Sequence, residues 1–188
     1  TSRGWGVLDV NYSGSTGFGK CYRNRLNGYW GEADVFDCSS AALELIHTGR
    51  ADKNLIAIEG SSAGGFTALC SLCFTNTFKV GACKYPVCDL VEMQKTTHRF
   101  EKNYLNTLIS IFGEDPAKYF KRSPINNVDK ITSPLILFQG LKDKVVLASQ
   151  TKTMFDAILE QDVPSELHIF KNEGHGFRDG NIKKDVLI

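Results

Sequence analysis

Three residues in this sequence have the types and the order needed for nucleophilic acyl transfer. Gly60-Ser61-Ser62-Ala63-Gly64 fits the pattern G-x-S-x-G, in which a serine stands on a sharp strand-to-helix turn. Small neighbours permit the strained turn and let a substrate approach the hydroxyl. Of the two adjacent serines, Ser62 alone has glycine two positions before and two after; centring on Ser61 would require glycine at Glu59 and Ala63. A helix beginning at Ala63 would aim its unpaired N–H groups at a developing oxyanion, with the Ala63 N–H as first donor.

A serine needs a base, and the base needs an acid, in the chain order acid then histidine. Asp143 follows Gly140 by three residues, just past an apolar run. His175 lies in Glu173-Gly174-His175-Gly176-Phe177, a glycine-flanked loop. The other histidines fit less well. His47 stands at a helix end and His98 precedes the acid. His168 falls inside a strand pattern, where a packed or hydrogen-bonded ring is expected. The expected chemistry is attack by Ser62 on a carbonyl, with His175 as general base and Asp143 fixing its tautomer. Water then hydrolyses the acyl-enzyme. No metal or organic cofactor is required.

These residues need a scaffold that places strand ends side by side. Apolar runs alternating with helical patterns predict an α/β parallel sheet. Strands are expected at residues 6–11, 55–58, 80–85, 134–139 and 166–171. Helices are expected at 33–47, 63–74, 147–161 and after Phe177. Residues 87–127 read as irregular and helical, where a substrate-facing insertion belongs. No repeat or low-complexity linker divides the 188 residues, which suffice for one domain with a substantial core.

Composition removes several classes. A net charge of +1 offers no electrostatic argument for nucleic acid or an anionic membrane surface. No apolar run approaches the length of a membrane span. Six cysteines in a chain of this size do not suggest a disulfide scaffold. The Cys70/Cys73 pair reads as core thiols on a helix, and free thiols point to a cytoplasmic setting. Residues 14–21, Gly-Ser-Thr-Gly-Phe-Gly-Lys-Cys, nearly match a phosphate-binding loop. However, Cys21 lacks the hydroxyl that would meet Mg²⁺, and no helix is expected directly after Lys20. A Gly-rich turn at the rim of the site is the preferred reading.

The stretch from Gly6 to Gly19 closely resembles the catalytic domain of the prolyl oligopeptidase family of serine peptidases. So do Gly28-Tyr29-Trp30-Gly31, Gly60-Ser61-Ser62-Ala63-Gly64-Gly65, Gln139-Gly140-Leu141-Lys142-Asp143 and Glu173-Gly174-His175-Gly176-Phe177. The resemblance runs over essentially the whole chain and is nearest the acylaminoacyl-peptidase and dipeptidyl-peptidase-like branch. It implies an α/β-hydrolase fold, a mostly parallel sheet flanked by helices. Residues 1–188 would then be part of a catalytic domain whose N-terminal strands, second oxyanion donor and β-propeller lie outside this stretch. It also implies short peptide substrates, and it implies the nucleophile, acid and base at Ser62, Asp143 and His175. Phe100 and Tyr104 fall where relatives place pocket aromatics, with helix packing as the alternative reading. A serine esterase or lipase of the same fold, a non-catalytic interaction protein, and a homo-oligomer formed through the full-length chain remain open alternatives.

Overall fold

The computed structural model describes residues 4–96 and 102–186. Four parallel strands, β1 (Ala57–Ser61), β2 (Val80–Lys84), β3 (Leu135–Gly140) and β4 (Ser165–Phe170), pair in sequence order. Eight helices accompany them among the described residues: α1 (Gly19–Arg23), α2 (Ala33–His47), α3 (Ala63–Phe74), α4 (Leu90–Thr96), α5 (Lys102–Leu108), α6 (Pro116–Arg122), α7 (Ala148–Leu159) and α8 (Gly180–Asp185). Two 3-10 segments, Asn24–Leu26 and Pro124–Lys130, complete the set.

Parallel strands need crossover connections, and helices supply them here. The α3 crossover joins β1 to β2 and is buried from Gly65 to Cys73. A helix apolar on all sides belongs in a core, and α3 serves two of them. Ala68, Leu69, Leu72 and Cys73 pack with Cys83, Leu135, Leu137, Met154 and Ile158 under the sheet. Phe66 and Cys70 turn to a second cluster with Leu26, Trp30, Val87, Leu90, Leu105, Ile109 and Tyr119. The approach of α3 to the sheet is close. A Cβ at Gly81 would lie 2.5 Å from a Leu72 methyl.

Buried polar side chains tie the second cluster to α2. The Arg122 guanidinium, 5 % exposed, donates to Glu32 and to the carbonyls of Gly28 and Trp30. Asp34, fully buried, accepts from the Gly31 N–H and the Thr67 hydroxyl of α3. Burial raises the Asp34 carboxyl pKa, and those hydrogen bonds offset only part of the rise.

The fold differs from the sequence expectation in three places. Residues 6–11 form no strand, and Val7 and Leu8 are exposed. Strand propensity is a local property, whereas a strand requires a pairing partner, and none of the described residues supplies one. Strand β1 starts two residues later than expected and continues through Glu59, Gly60 and Ser61, whose register with β2 extends to Ser61↔Lys84. A short helix does begin at Gly19, so one of the two grounds for discounting the phosphate loop falls, although Cys21 still lacks a hydroxyl. His168 lies within β4 and its ring is hydrogen-bonded, as expected. It is half-exposed, bonded to Glu166 (3.1 Å), with its ring near Phe138. The expectations for Cys70 and Cys73 hold, since both are buried free thiols raised by burial. No described helix is long and apolar enough to cross a membrane.

Candidate active site

The site lies along the C-terminal ends of β1, β3 and β4, and each end contributes one side chain. Ser62 follows β1 directly and caps α3 with φ 54° and ψ −118°. Only three described non-glycine residues have positive φ. Such strain persists where surrounding contacts over-determine it. Here the Ser62 N–H donates to Lys84 O at 2.9 Å and the Ser62 carbonyl accepts from Phe66 N at 3.0 Å. Glycine at position 60 is obligatory, because a Cβ there would stand 2.1 Å from the Gly64 carbonyl oxygen. Ala63 is the first residue of α3, and its turn carries no side-chain cap. First-turn N–H groups have no acceptor inside their helix, so this one is free to meet an anion.

Asp143 sits in the loop after β3 with its carboxylate fully buried. Oδ1 accepts from the Val145 and Val146 N–H groups at 2.8 and 3.0 Å. Oδ2 accepts from His175 Nδ1 at 2.8 Å and from Gln139 Nε2 at 3.3 Å. Burial by itself would raise this carboxyl. The hydrogen bonds from His175, Val145 and Val146, together with the attraction of the imidazole, outweigh it and hold the pKa below the usual aspartate value.

His175 is carried by the loop after β4. A proton on Nδ1 to meet Asp143 leaves Nε2 as an acceptor, and the Ser62 hydroxyl stands 2.8 Å from it. Glu173, nearly buried, accepts from the Arg178 and Asp179 N–H groups at 2.7 and 3.0 Å and so closes the loop on itself. Its backbone carbonyl accepts from Lys142 N at 2.8 Å, joining the His175 and Asp143 loops. A Cβ at Gly140 would meet the Gly174 and Glu173 carbonyl oxygens at 2.5 and 2.6 Å. Tyr85, at φ 39° after β2, lays its ring 4.7 Å from the imidazole, with Phe177 behind it at 5.2 Å.

The structure thus brings Ser62, Asp143 and His175 into one hydrogen-bonded line, with Ala63 beside the nucleophile. Tyr104, on α5 and half-exposed, packs edge-on against Trp30, which packs on Phe66 one turn after Ser62. Phe100 lies outside the described residues. Sequence reasoning did not assign roles to Gln139, Thr151, Tyr85 or Glu173. Gln139 had a usable signal, because a lone amide in an otherwise apolar central strand must find buried partners. The structure describes no cluster of three or more His, Cys, Asp or Glu able to hold a metal ion.

Comparison with known proteins sets this geometry in context. The peptidase S9 model, the prolyl oligopeptidase family, matches residues 1–187. The chain is 31% identical over 185 residues to dipeptidyl peptidase family member 6 of Caenorhabditis elegans, covering 95% of this chain and 25% of that protein. It is 28% identical over 198 residues to the acylamino-acid-releasing enzyme of Homo sapiens, covering 98% and 26%. A puromycin hydrolase structure superposes with a TM-score of 0.96 at 43% identity, over 99% of this chain and 28% of that one. A Mycobacterium tuberculosis puromycin-hydrolyzing peptidase gives 0.95 at 40% identity, over 98% and 28%. The chain therefore spans about a quarter of the length of the curated relatives it matches. The four-stranded parallel sheet with its flanking helices is an α/β-hydrolase fold.

Proposed function

The chain belongs to the prolyl oligopeptidase family, and from that premise we propose that it is part of the catalytic domain of a serine peptidase acting on short peptides. The observation that carries the proposal is the continuous contact from Ser62 Oγ to His175 Nε2 and from His175 Nδ1 to Asp143, each 2.8 Å long. In this reading Ser62 Oγ attacks the scissile carbonyl carbon while its proton passes to His175 Nε2. The oxyanion takes a hydrogen bond from the Ala63 N–H. Collapse breaks the C–N bond, and Nε2 hands its proton to the departing amine, leaving an acyl-Ser62 ester. Water then attacks that ester, gives its proton to Nε2, and the tetrahedral adduct releases the acid as the proton returns to Ser62 Oγ. Throughout, Asp143 stabilises the imidazolium from its other side.

Tyr104 is proposed to line the pocket beside the scissile bond, supported by its edge-on packing against Trp30, which packs on Phe66 of the nucleophile helix. Phe100 is proposed for the same wall by resemblance alone.

The identity with two puromycin-hydrolysing proteins favours one narrower reading, in which puromycin is itself a substrate. A panel of short peptides, their ester counterparts with matched acyl groups, and puromycin separates these readings. Turnover of the peptides with release of a free amine is the expected result. Turnover of the esters alone would replace the peptidase reading with an esterase.

A further inference from the structure

The Asp143 carboxylate is held by more than backbone. Gln139, near the C-terminal end of β3 and fully buried, points its side-chain nitrogen at three oxygens: Asp143 Oδ2 at 3.3 Å, Gly140 O at 3.1 Å and Val146 O at 3.2 Å. Its oxygen accepts from the Thr151 hydroxyl of α7 at 2.7 Å, and Thr151 is fully buried too. The orientation of the amide is therefore determined from both ends. Three acceptors on one side require the NH₂ group there, and the Thr151 donor on the other side requires the carbonyl.

We infer that Gln139 and Thr151 are positioning residues for the acid. They form a buried hydrogen-bond line, Thr151 to Gln139 to Asp143, that continues to His175 and Ser62 and fixes which carboxylate oxygen faces the imidazole. This inference rests on the proposed roles of Ser62, Asp143 and His175. Val145 and Val146 N–H hold Oδ1, but they leave Oδ2 with His175 as its only other partner besides Gln139 among the described contacts. The imidazole must shift as it takes and returns a proton. A carboxylate steadied on one oxygen only would follow it, whereas one steadied on both keeps the Nδ1 geometry through the cycle. The effect therefore appears when the imidazolium forms, in kcat and not in substrate binding. A hydrogen bond to a charged group sets the scale, about ten- to a hundredfold in rate if it is lost.

The test is steady-state kinetics on the full-length protein, with fluorophosphonate labelling alongside. Gln139→Leu is expected to lower kcat about ten- to a hundredfold with KM within twofold of the parent. Thr151→Val is expected to lower kcat by a smaller factor, and Thr151→Ser, which keeps the hydroxyl, to restore it. The Ser/Val pair differs at a site remote from substrate, so it reads the hydrogen bond even if Gln139→Leu folds poorly. In an Asp143→Ala background, Gln139→Leu should cost nothing further, because the group it positions is gone. Equal kcat for the Thr151 valine and serine variants, or a Gln139→Leu effect that persists undiminished without Asp143, would overturn the inference while leaving the triad intact. A parent enzyme that is folded yet unreactive toward fluorophosphonate would overturn the underlying reading instead.

Discussion

Replacing Asp143 by Asn changes one atom, and the surroundings decide which way the amide turns. With its oxygen at the Oδ1 position, the Asn keeps the hydrogen bonds from Val145 and Val146 N–H. Its NH₂ then occupies the Oδ2 position, facing Gln139 Nε2 and His175 Nδ1. Gln139 can accommodate this, because Gly140 O and Val146 O already accept from the same nitrogen. The flipped amide would instead set an NH₂ group against the buried Val146 N–H and the part-buried Val145 N–H. With the buried Val146 N–H left unsatisfied, the flipped form is disfavoured by about 1–3 kcal/mol. The unflipped NH₂ must donate to His175 Nδ1, which forces the proton onto Nε2. The nitrogen that stands 2.8 Å from Ser62 Oγ then has a hydrogen where the mechanism needs a lone pair. Comparable tautomer reversal in a serine protease costs about 10⁴ in kcat with the fold intact, and a loss of that order is expected here. The assay is kcat on a peptide substrate, checked by the rate of fluorophosphonate labelling and by a thermal melt. A folded Asp143→Asn protein retaining a tenth of parent activity would refute the reasoning.

Three further outcomes follow from the same contacts. Gly140→Ala would drive a Cβ into the Gly174 and Glu173 carbonyls at 2.5 and 2.6 Å; the His175 loop must yield, and about a hundredfold loss of kcat is expected, so unchanged kinetics would contradict the close packing. Asp34→Leu should destabilise the fold by about 1–3 kcal/mol, since it strands the Gly31 N–H and leaves the Thr67 hydroxyl only the Ala63 carbonyl at 3.3 Å, whereas Asp34→Asn should cost less; denaturant melts of the pair decide this. Because the Asp143 carboxyl is held below its ordinary value, its stabilising contribution is complete above the unfolded aspartate pKa of about 3.9 and is lost as pH falls through the lower folded value. The melting difference between the parent and Asp143→Asn should therefore shrink below about pH 4, and a constant difference would argue against the depressed pKa.

Much of this arrangement was legible in the sequence because local rules and tertiary structure agree there. The helices at Ala33–His47 and Ala63–Phe74 have the bounds their apolar spacing predicts. The G-x-S-x-G turn falls between a strand and a helix as its glycines require. Asp143 and His175 stand in the loops after β3 and β4, where acid and base were expected. What stayed hidden depends on partners that periodicity cannot show. Residues 6–11 carry strand-like residues but have no ladder to join. Strand β1 runs through Glu59 and Gly60, poor strand formers, because pairing with β2 holds them extended. The left-handed Tyr85 beside the imidazole gives no local signal, and bulky residues seldom adopt that conformation. Thr151 looks like any helix threonine until β3 places Gln139 opposite it.

The most direct test labels the full-length protein with a fluorophosphonate probe beside its Ser62→Ala and Ser61→Ala variants. The parent and Ser61→Ala should label, and Ser62→Ala should remain dark. A folded parent that does not label, or a Ser62→Ala protein that does, would contradict the assignment of Ser62 as an activated nucleophile.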